Sequence, residues 1–268
     1  MAETGASPSE GLRWLDLGLA TPVLQAALLS GAAPLPGPEL WPELPLLAPL
    51  APNRIFAIGR NYLAHAKEGG AKAPTIPIVW NKLGSAVVGD GAAIVIPREH
   101  AQAIDYEGEL AVVIGAPGRR IPEASALSHV AGYTIANDVT ARDAQDAMSQ
   151  WTLPKSMPTF APLGPHLVTA DEVPDPQALR IETRVGGEVR QEGLTKDMIF
   201  SVARLISFIS EFVVLEVGDV IETGTPAGIG WKRQPKAMLE PGQEVVVQID
   251  PIGRLRNPVQ DEESAPGD

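Results

Sequence analysis

The run "IDYEGELAVVIG", residues 104–115, constrains this chain more than any other stretch. It reads as a β-strand almost throughout, yet it sets Glu107 and Glu109 two residues apart at its head. Side chains at i and i+2 of a strand point to the same face, so the two carboxylates stand side by side and repel unless something positive lies between them. A hard divalent cation meets that need, because Mg2+ and Mn2+ take oxygen ligands. A solvated strand face carries the same spacing, and spacing alone leaves both readings open.

The rest of the composition narrows the fold class. Glycine and proline, 26 of each, call for many turns rather than long helical bundles, and a mean hydropathy of +0.03 is ordinary for a globular chain. A mixed α/β, β-rich architecture is expected. A net charge of −12 without clustered Lys and Arg excludes a nucleic-acid face, and the pair Arg119–Arg120 is too short to count as one. With no cysteine, a disulfide framework, a thiolate metal site and a cysteine nucleophile are all impossible. Any metal must sit on oxygen or imidazole. The opening "MAETGASPSEGLRW" lacks the basic start and apolar run of a signal peptide, and no segment approaches about twenty apolar residues, so a cytoplasmic protein without a membrane span is expected.

Along the chain, "TPVLQAALLSG" reads as a packed helix, and the Pro-rich segment 31–52 reads as an extended linker ending in a boundary near Pro52. Residues 1–52 therefore form an arm or small accessory region and residues 53–258 the main domain; residues 259–268, polar and acidic, form a disordered tail. A short strand from Ile55 to Ile58 breaks at Gly59 into a helical piece carrying His65 and Glu68. The segment 77–97 offers two strands around a "GDG" turn. A strand through Tyr133 and Ile135 reaches Asp138 and turns helical at Thr140 or soon after. Ile199, Val202, Ile206 and Ile209 follow 3- and 4-residue steps, predicting an amphipathic, core-facing helix in 195–212.

Glu107, Glu109 and Asp138 are the candidate metal ligands. His65 and Glu68, at i and i+3, share a helical face, though a histidine there is also compatible with a purely structural role. Lys155 by itself reads as a surface ammonium. The Gly-rich "GTPAGIG" lacks the Gly-Lys-Ser/Thr ending of a phosphate loop, and no G-x-S-x-G elbow of a serine hydrolase occurs.

Five separated motifs, "GRNYLAHAKE", "DYEGELAVVIG", "VAGYTIANDVTARDAQ", "WTLPKSMPTFAPLGP" and "GDVIETGTPAGIG", resemble those of the fumarylacetoacetate hydrolase family over most of residues 53–253. The resemblance implies a β-roll or β-sandwich with a few helices, commonly dimeric, holding Mg2+ or Mn2+ on Glu107, Glu109 and Asp138. It further implies Lys155 as a catalytic residue beside the metal, Arg142 and Gln145 at the substrate's carboxylate end, and Thr225 lining the same pocket. His65 and Glu68 become a water-activating base pair on a mobile lid. Pro158 stands where many relatives have Asp, so a carboxylate partner for Lys155 has to come from elsewhere. The implied activity is metal-dependent C–C bond cleavage of small 2-oxo or 1,3-dicarbonyl carboxylic acids: acylpyruvate hydrolysis, oxaloacetate decarboxylation, or both. Alternatives within the family are 2-hydroxydienoate isomerisation or decarboxylation and hydrolysis of diketo sugar acids. A non-catalytic small-acid-binding protein is the alternative of another class.

Overall fold

The computed structural model describes residues 46–70 and 72–262. The helix expected in "TPVLQAALLSG", most of the Pro-rich linker and the end of the acidic tail lie outside the described residues. In chain order the elements are β1 (Ile55–Gly59), α1 (Leu63–Glu68), β2 (Ile78–Lys82), β3 (Val87–Val88), β4 (Ile94–Ile96), β5 (Ile104–Asp105) and β6 (Gly108–Ile114). There follow β7 (Val130–Asn137), β8 (Thr140–Ala141), α2 (Arg142–Ala147), β9 (Ala161–Thr169), β10 (Arg180–Val185) and β11 (Glu188–Leu194). Last come α3 (Val202–Phe212), β12 (Val220–Glu222), β13 (Glu244–Ile249) and β14 (Gly253–Asp261).

Two sheets dominate. A seven-stranded sheet runs β2-β1-β12-β6-β7-β9-β3, a five-stranded one β11-β10-β13-β14-β4, and β5 and β8 form a two-stranded ribbon. The expected strand-rich α/β fold with few helices is observed. Every residue of β6 is buried, which explains why its sequence is a continuous apolar run instead of an alternating one: both faces are covered. Leu110, Val112 and Ile114 face the large core that also holds Ile181, Val245 and α3, whereas Ala111 and Val113 face a smaller cluster closed by Leu50 and Ile55.

The "IDYEGELAVVIG" strand is interrupted, in contrast to the continuous strand expected. It divides into β5 and β6 at Tyr106–Glu107, because side chains capture the amides that a ladder would use. Asp105 Oδ1 accepts from the Tyr106 amide at 2.9 Å, Asn137 Oδ1 from the Glu107 amide at 3.0 Å, and Gln191 Oε1 from the Gly108 amide at 3.0 Å. The segment 77–97 yields three short strands, not two, with the glycine turn between β3 and β4. Helix α3 begins at Val202, seven residues into the 195–212 segment expected to be helical. Ser201 caps it, accepting from the Arg204 amide at 3.1 Å, and Asn61 holds the preceding Phe200 amide at 2.8 Å. The acidic tail also starts later than expected: β14 continues to Asp261, where Val259, Gln260 and Asp261 pair in parallel with β4.

Gly108 joins this fold to the site. A Cβ there would lie 2.2 Å from Thr183 Oγ1 and 2.9 Å from Val247 Cγ1, so its missing side chain lets β10 and β13 close onto β6 between the two glutamates. Gly108→Ala should cost about 1–3 kcal/mol by overpacking. Thermal denaturation should show Tm falling by roughly 2–12 °C, and an unchanged Tm would mean that the sheets do not meet this closely.

Candidate active site

The register of β6 on β7 places Gly108 opposite Asn137, so Asp138 emerges from the end of β7 beside Glu107; its amide donates to the Glu107 carbonyl at 2.9 Å. Carboxylate oxygens of Glu107, Glu109 and Asp138 all lie within 4.8 Å of one another, and all three residues are buried. The structure thus brings together the three carboxylates read from the sequence.

Three buried cations surround them. Lys155 Nζ donates to Glu107 Oε2 at 3.0 Å, Asp138 Oδ2 at 2.5 Å and Thr140 Oγ1 at 2.8 Å, which uses all three ammonium protons. The carboxylate partner missing at Pro158 is therefore supplied by Glu107 and Asp138. Burial pulls the Lys155 pKa down, but Asp138 and Glu107 outweigh it and hold the amine above its ordinary value. Lys82 donates to Asp138 Oδ1 and, at 2.8 Å, to the Phe160 carbonyl. Arg142 donates from Nε to Asp105 Oδ2 at 2.8 Å, and from its two terminal nitrogens to Glu107 Oε1 at 2.5 Å and Gln145 Oε1 at 3.1 Å.

The charge balance is incomplete. Asp105, Glu107, Glu109, Asp138 and Glu222 bury five carboxylates against Lys82, Lys155 and Arg142, a formal deficit of two positive charges. Burial raises the Glu107 pKa, but Lys155 and Arg142 reverse the effect and hold it far below the usual carboxylate range. Glu109 has the opposite environment: burial, then Asp138, Glu222 and Glu107, push its carboxyl well above the ordinary value against one amide donor, Gly224 at 2.7 Å. Burial and Asp138 push Glu222 up to about 7 despite Lys82, and neither of its oxygens has a hydrogen-bond partner among the described residues. Uncompensated buried charge of this kind is costly. An all-oxygen cluster lacking two positive charges fits a hard divalent cation.

A cavity of about 320 Å3 opens onto this cluster, at the small end of the range for ligand pockets. His65, Glu107, Arg142, Gln145, Lys155 and Thr225 line it. Thr225 spends its hydroxyl inward, donating to the Gly108 carbonyl at 2.9 Å and accepting from Gln191 Nε2 at 2.8 Å, so it fixes the peptide between the two glutamates. His65 Nδ1 lies 3.5 Å from Glu68 Oε2, and both Glu68 oxygens accept from the Gly228 amide at 3.1 Å. The base pair read from the sequence is thus adjacent, with its helix fastened to the loop after β12.

Asp105, Lys82 and Glu222 escaped the sequence reading. Asp105 accepts from Gly230 at 2.8 Å and Trp231 at 3.0 Å as well as from Arg142, joining that loop to the guanidinium. Its place two residues before Glu107 was a usable signal, as was a glutamate inside the apolar "DVIETG". Lys82 carries no spacing signal.

A strand-rich fold with a buried carboxylate cluster at the floor of a small cavity is an arrangement able to hold a hard cation beside a small ligand. The family model for the fumarylacetoacetate (FAA) hydrolase C-terminal domain matches residues 54–260, and the chain belongs to the fumarylacetoacetate hydrolase family. It is 43% identical over 255 residues to human mitochondrial oxaloacetate tautomerase FAHD2B, covering 94% of this chain and 80% of that protein. An uncharacterized protein of Archaeoglobus fulgidus is 47% identical over 220 residues, covering 80% of this chain and 84% of the other. The structure resembles the fumarylacetoacetate hydrolase of Exiguobacterium antarcticum, with a TM-score of 0.79, 39% identity, and coverage of 89% of this chain and 88% of that one. It also resembles the 5-carboxymethyl-2-hydroxymuconate delta-isomerase of Mycobacterium smegmatis, with a TM-score of 0.72, 39% identity, and coverage of 81% and 80%. No helix among the described residues is long and apolar enough to cross a membrane.

The cluster should show itself in binding and in stability. Saturating Mn2+ at about 100 times its Kd should add about 2.7 kcal/mol of stability, raising Tm by roughly 5–10 °C over a chelated sample. Glu109→Ala should abolish both this shift and the calorimetric binding signal. Undiminished Mn2+ affinity in that variant would remove the cluster as the site.

Proposed function

We propose that this chain is a Mg2+- or Mn2+-dependent enzyme for small 2-oxo or 1,3-dicarbonyl carboxylic acids, working through the substrate's enolate: decarboxylation or keto–enol tautomerisation of oxaloacetate, and hydrolysis of acylpyruvates. The observation that carries this reading is the meeting of three buried carboxylates, part of a cluster of five that is short of two positive charges, with a cavity that also presents Arg142, Gln145 and His65. The name of the human relative supports oxaloacetate as a substrate.

Glu107, Glu109 and Asp138 would hold the divalent cation, which would supply a Lewis acid for the oxygens of a 2-oxo acid and for negative charge developing on them. Arg142 keeps two N–H groups beyond those given to Asp105, Glu107 and Gln145, and these orient the substrate carboxylate together with the Gln145 amide. Lys155, with every proton committed, is a positioning residue: it holds Glu107 and Asp138 in register. The His65 imidazole takes a proton from attacking water during hydrolysis, or shuttles one to and from the substrate carbon during tautomerisation, while Glu68 stabilises the charged ring. The name of the Mycobacterium smegmatis structure favours a second reading, 1,3-proton transfer on a 2-hydroxydienoate, which uses the same base.

A panel of acetylpyruvate, oxaloacetate and a 2-hydroxydienoate with Mg2+ or Mn2+ separates these activities. His65→Ala should lower acylpyruvate hydrolysis on the order of 10²–10⁴-fold, the usual yield of a positioned base, while oxaloacetate decarboxylation, which needs no activated water, falls much less. Equal losses would refute the water-activating role. Tight binding without turnover of any substrate would instead identify a binding protein. We further propose a homodimer, on the family resemblance: light scattering should report twice the 28.3 kDa chain mass, and a single-chain mass would refute it.

A further inference from the structure

The inner cations of the cavity are largely committed to protein carboxylates, which leaves open how a substrate's second acid group is met. Arg60 lines the same cavity, is exposed, and makes no ion pair with any described residue; its guanidinium carbon lies 5.8 Å from the centre of the Trp151 ring. Its backbone is unusual. Arg60 has a φ of +55°, a left-handed conformation uncommon for a residue with a side chain and most often kept where surrounding structure imposes it.

The neighbours on either side impose it here. Gly59 lies beneath two indoles: a Cβ there would be 2.9 Å from Trp80 and 3.0 Å from Trp151, whose rings meet edge-to-face at 5.0 Å. Asn61 is fully buried and pinned by its side chain, donating to the Thr223 carbonyl at 2.8 Å and the Phe200 carbonyl at 3.0 Å and accepting from the Phe200 amide at 2.8 Å. An arginine between two such anchors is held in the cavity wall with its charge unspent and one face on an indole, which limits the side-chain entropy lost on gripping an anion.

We propose that Arg60 determines specificity for dicarboxylates: its guanidinium receives the carboxylate remote from the 2-oxo acid head, making 2-oxo acids with a second carboxylate the preferred substrates. The assignment rests on the function proposed above. Lys232, exposed and on the same cavity wall, is the competing cation, but no ring among the described residues supports its ammonium as Trp151 supports Arg60.

The test compares substrates that differ only at the far end. Steady-state kinetics of Arg60→Gln on fumarylpyruvate, which carries the distal carboxylate, should show KM raised on the order of 10-fold, the loss of one charge-assisted contact, with kcat nearly unchanged. Acetylpyruvate, which lacks that carboxylate, should show neither change. Arg60→Lys should recover part of the loss, and unchanged Tm and Mn2+ affinity in both variants establish an intact fold. Equal effects on the two substrates, no effect, or the same selective loss in Lys232→Ala but not in Arg60→Gln would overturn the assignment.

Calorimetry on the Mg2+-loaded protein keeps this test separate from the reaction. The wild type should bind 2-oxoglutarate more tightly than 2-oxopentanoate, and Arg60→Gln should erase the difference. That result in a protein that turns over no acylpyruvate would refute the proposed reaction and uphold Arg60. A wild type that does not distinguish the two acids would refute Arg60.

Discussion

Five carboxylates buried among three cations set the terms for the rest of the site. Each cation is shared: Lys155 spans Glu107 and Asp138, Arg142 spans Asp105 and Glu107, and Lys82 supports Asp138 from the opposite side. Glu109 and Glu222 receive least of this compensation, and their pKa values rise accordingly. Positive charge is thus concentrated around Glu107 and Asp138, and the remaining deficit falls next to Glu109, where an added cation gains most. A pair of opposite charges in each position would have made the cluster self-sufficient and inert.

The architecture is arranged to hold that unbalanced cluster still. The ladder is broken at Tyr106–Glu107, and the freed amides go to Asp105, Asn137 and Gln191, side chains from three separate strands or their ends. Gln191 then reaches Thr225, whose hydroxyl returns to the Gly108 carbonyl. The glycine between the two glutamates is therefore clamped on both its N–H and its C=O by one side-chain chain. Like-charged groups at i and i+2 would otherwise splay, and a regular strand offers nothing comparable to prevent it.

What could be read in the sequence follows the range of the interactions involved. The i, i+2 glutamates, the i, i+3 His65–Glu68 pair and the apolar stripe of α3 are local patterns, and each appears as a unit in the structure. The motif resemblance carried Lys155, Arg142 and Gln145 and tied Asp138 to the two glutamates, none of which spacing links to Glu107, and they converge around one cavity and its floor. The strand break, the late start of α3 and the extension of β14 to Asp261 all depend on partners distant in sequence: Asn137 and Gln191 for the first, Asn61 for the second, β4 for the third. Lys82 and Glu222 stayed hidden for the same reason. Lys82 carries no local signal and Glu222 only that of a charge in an apolar strand, and it is the sheet order β2-β1-β12-β6 that brings them beside the triad.

The loop after β12 is gripped from two sides. Glu68 at the end of α1 takes the Gly228 amide, and two residues further on Asp105 takes the Gly230 and Trp231 amides while also aligning Arg142. Residues 228–230 are thus a short strut between the helix that carries His65 and the carboxylate that aims the guanidinium. Two side chains on separate elements, Glu68 of α1 and Asp105 of β5, take amide donors from the same short stretch of backbone. In the function proposed above, the base and the guanidinium that orients the substrate carboxylate thus share one support.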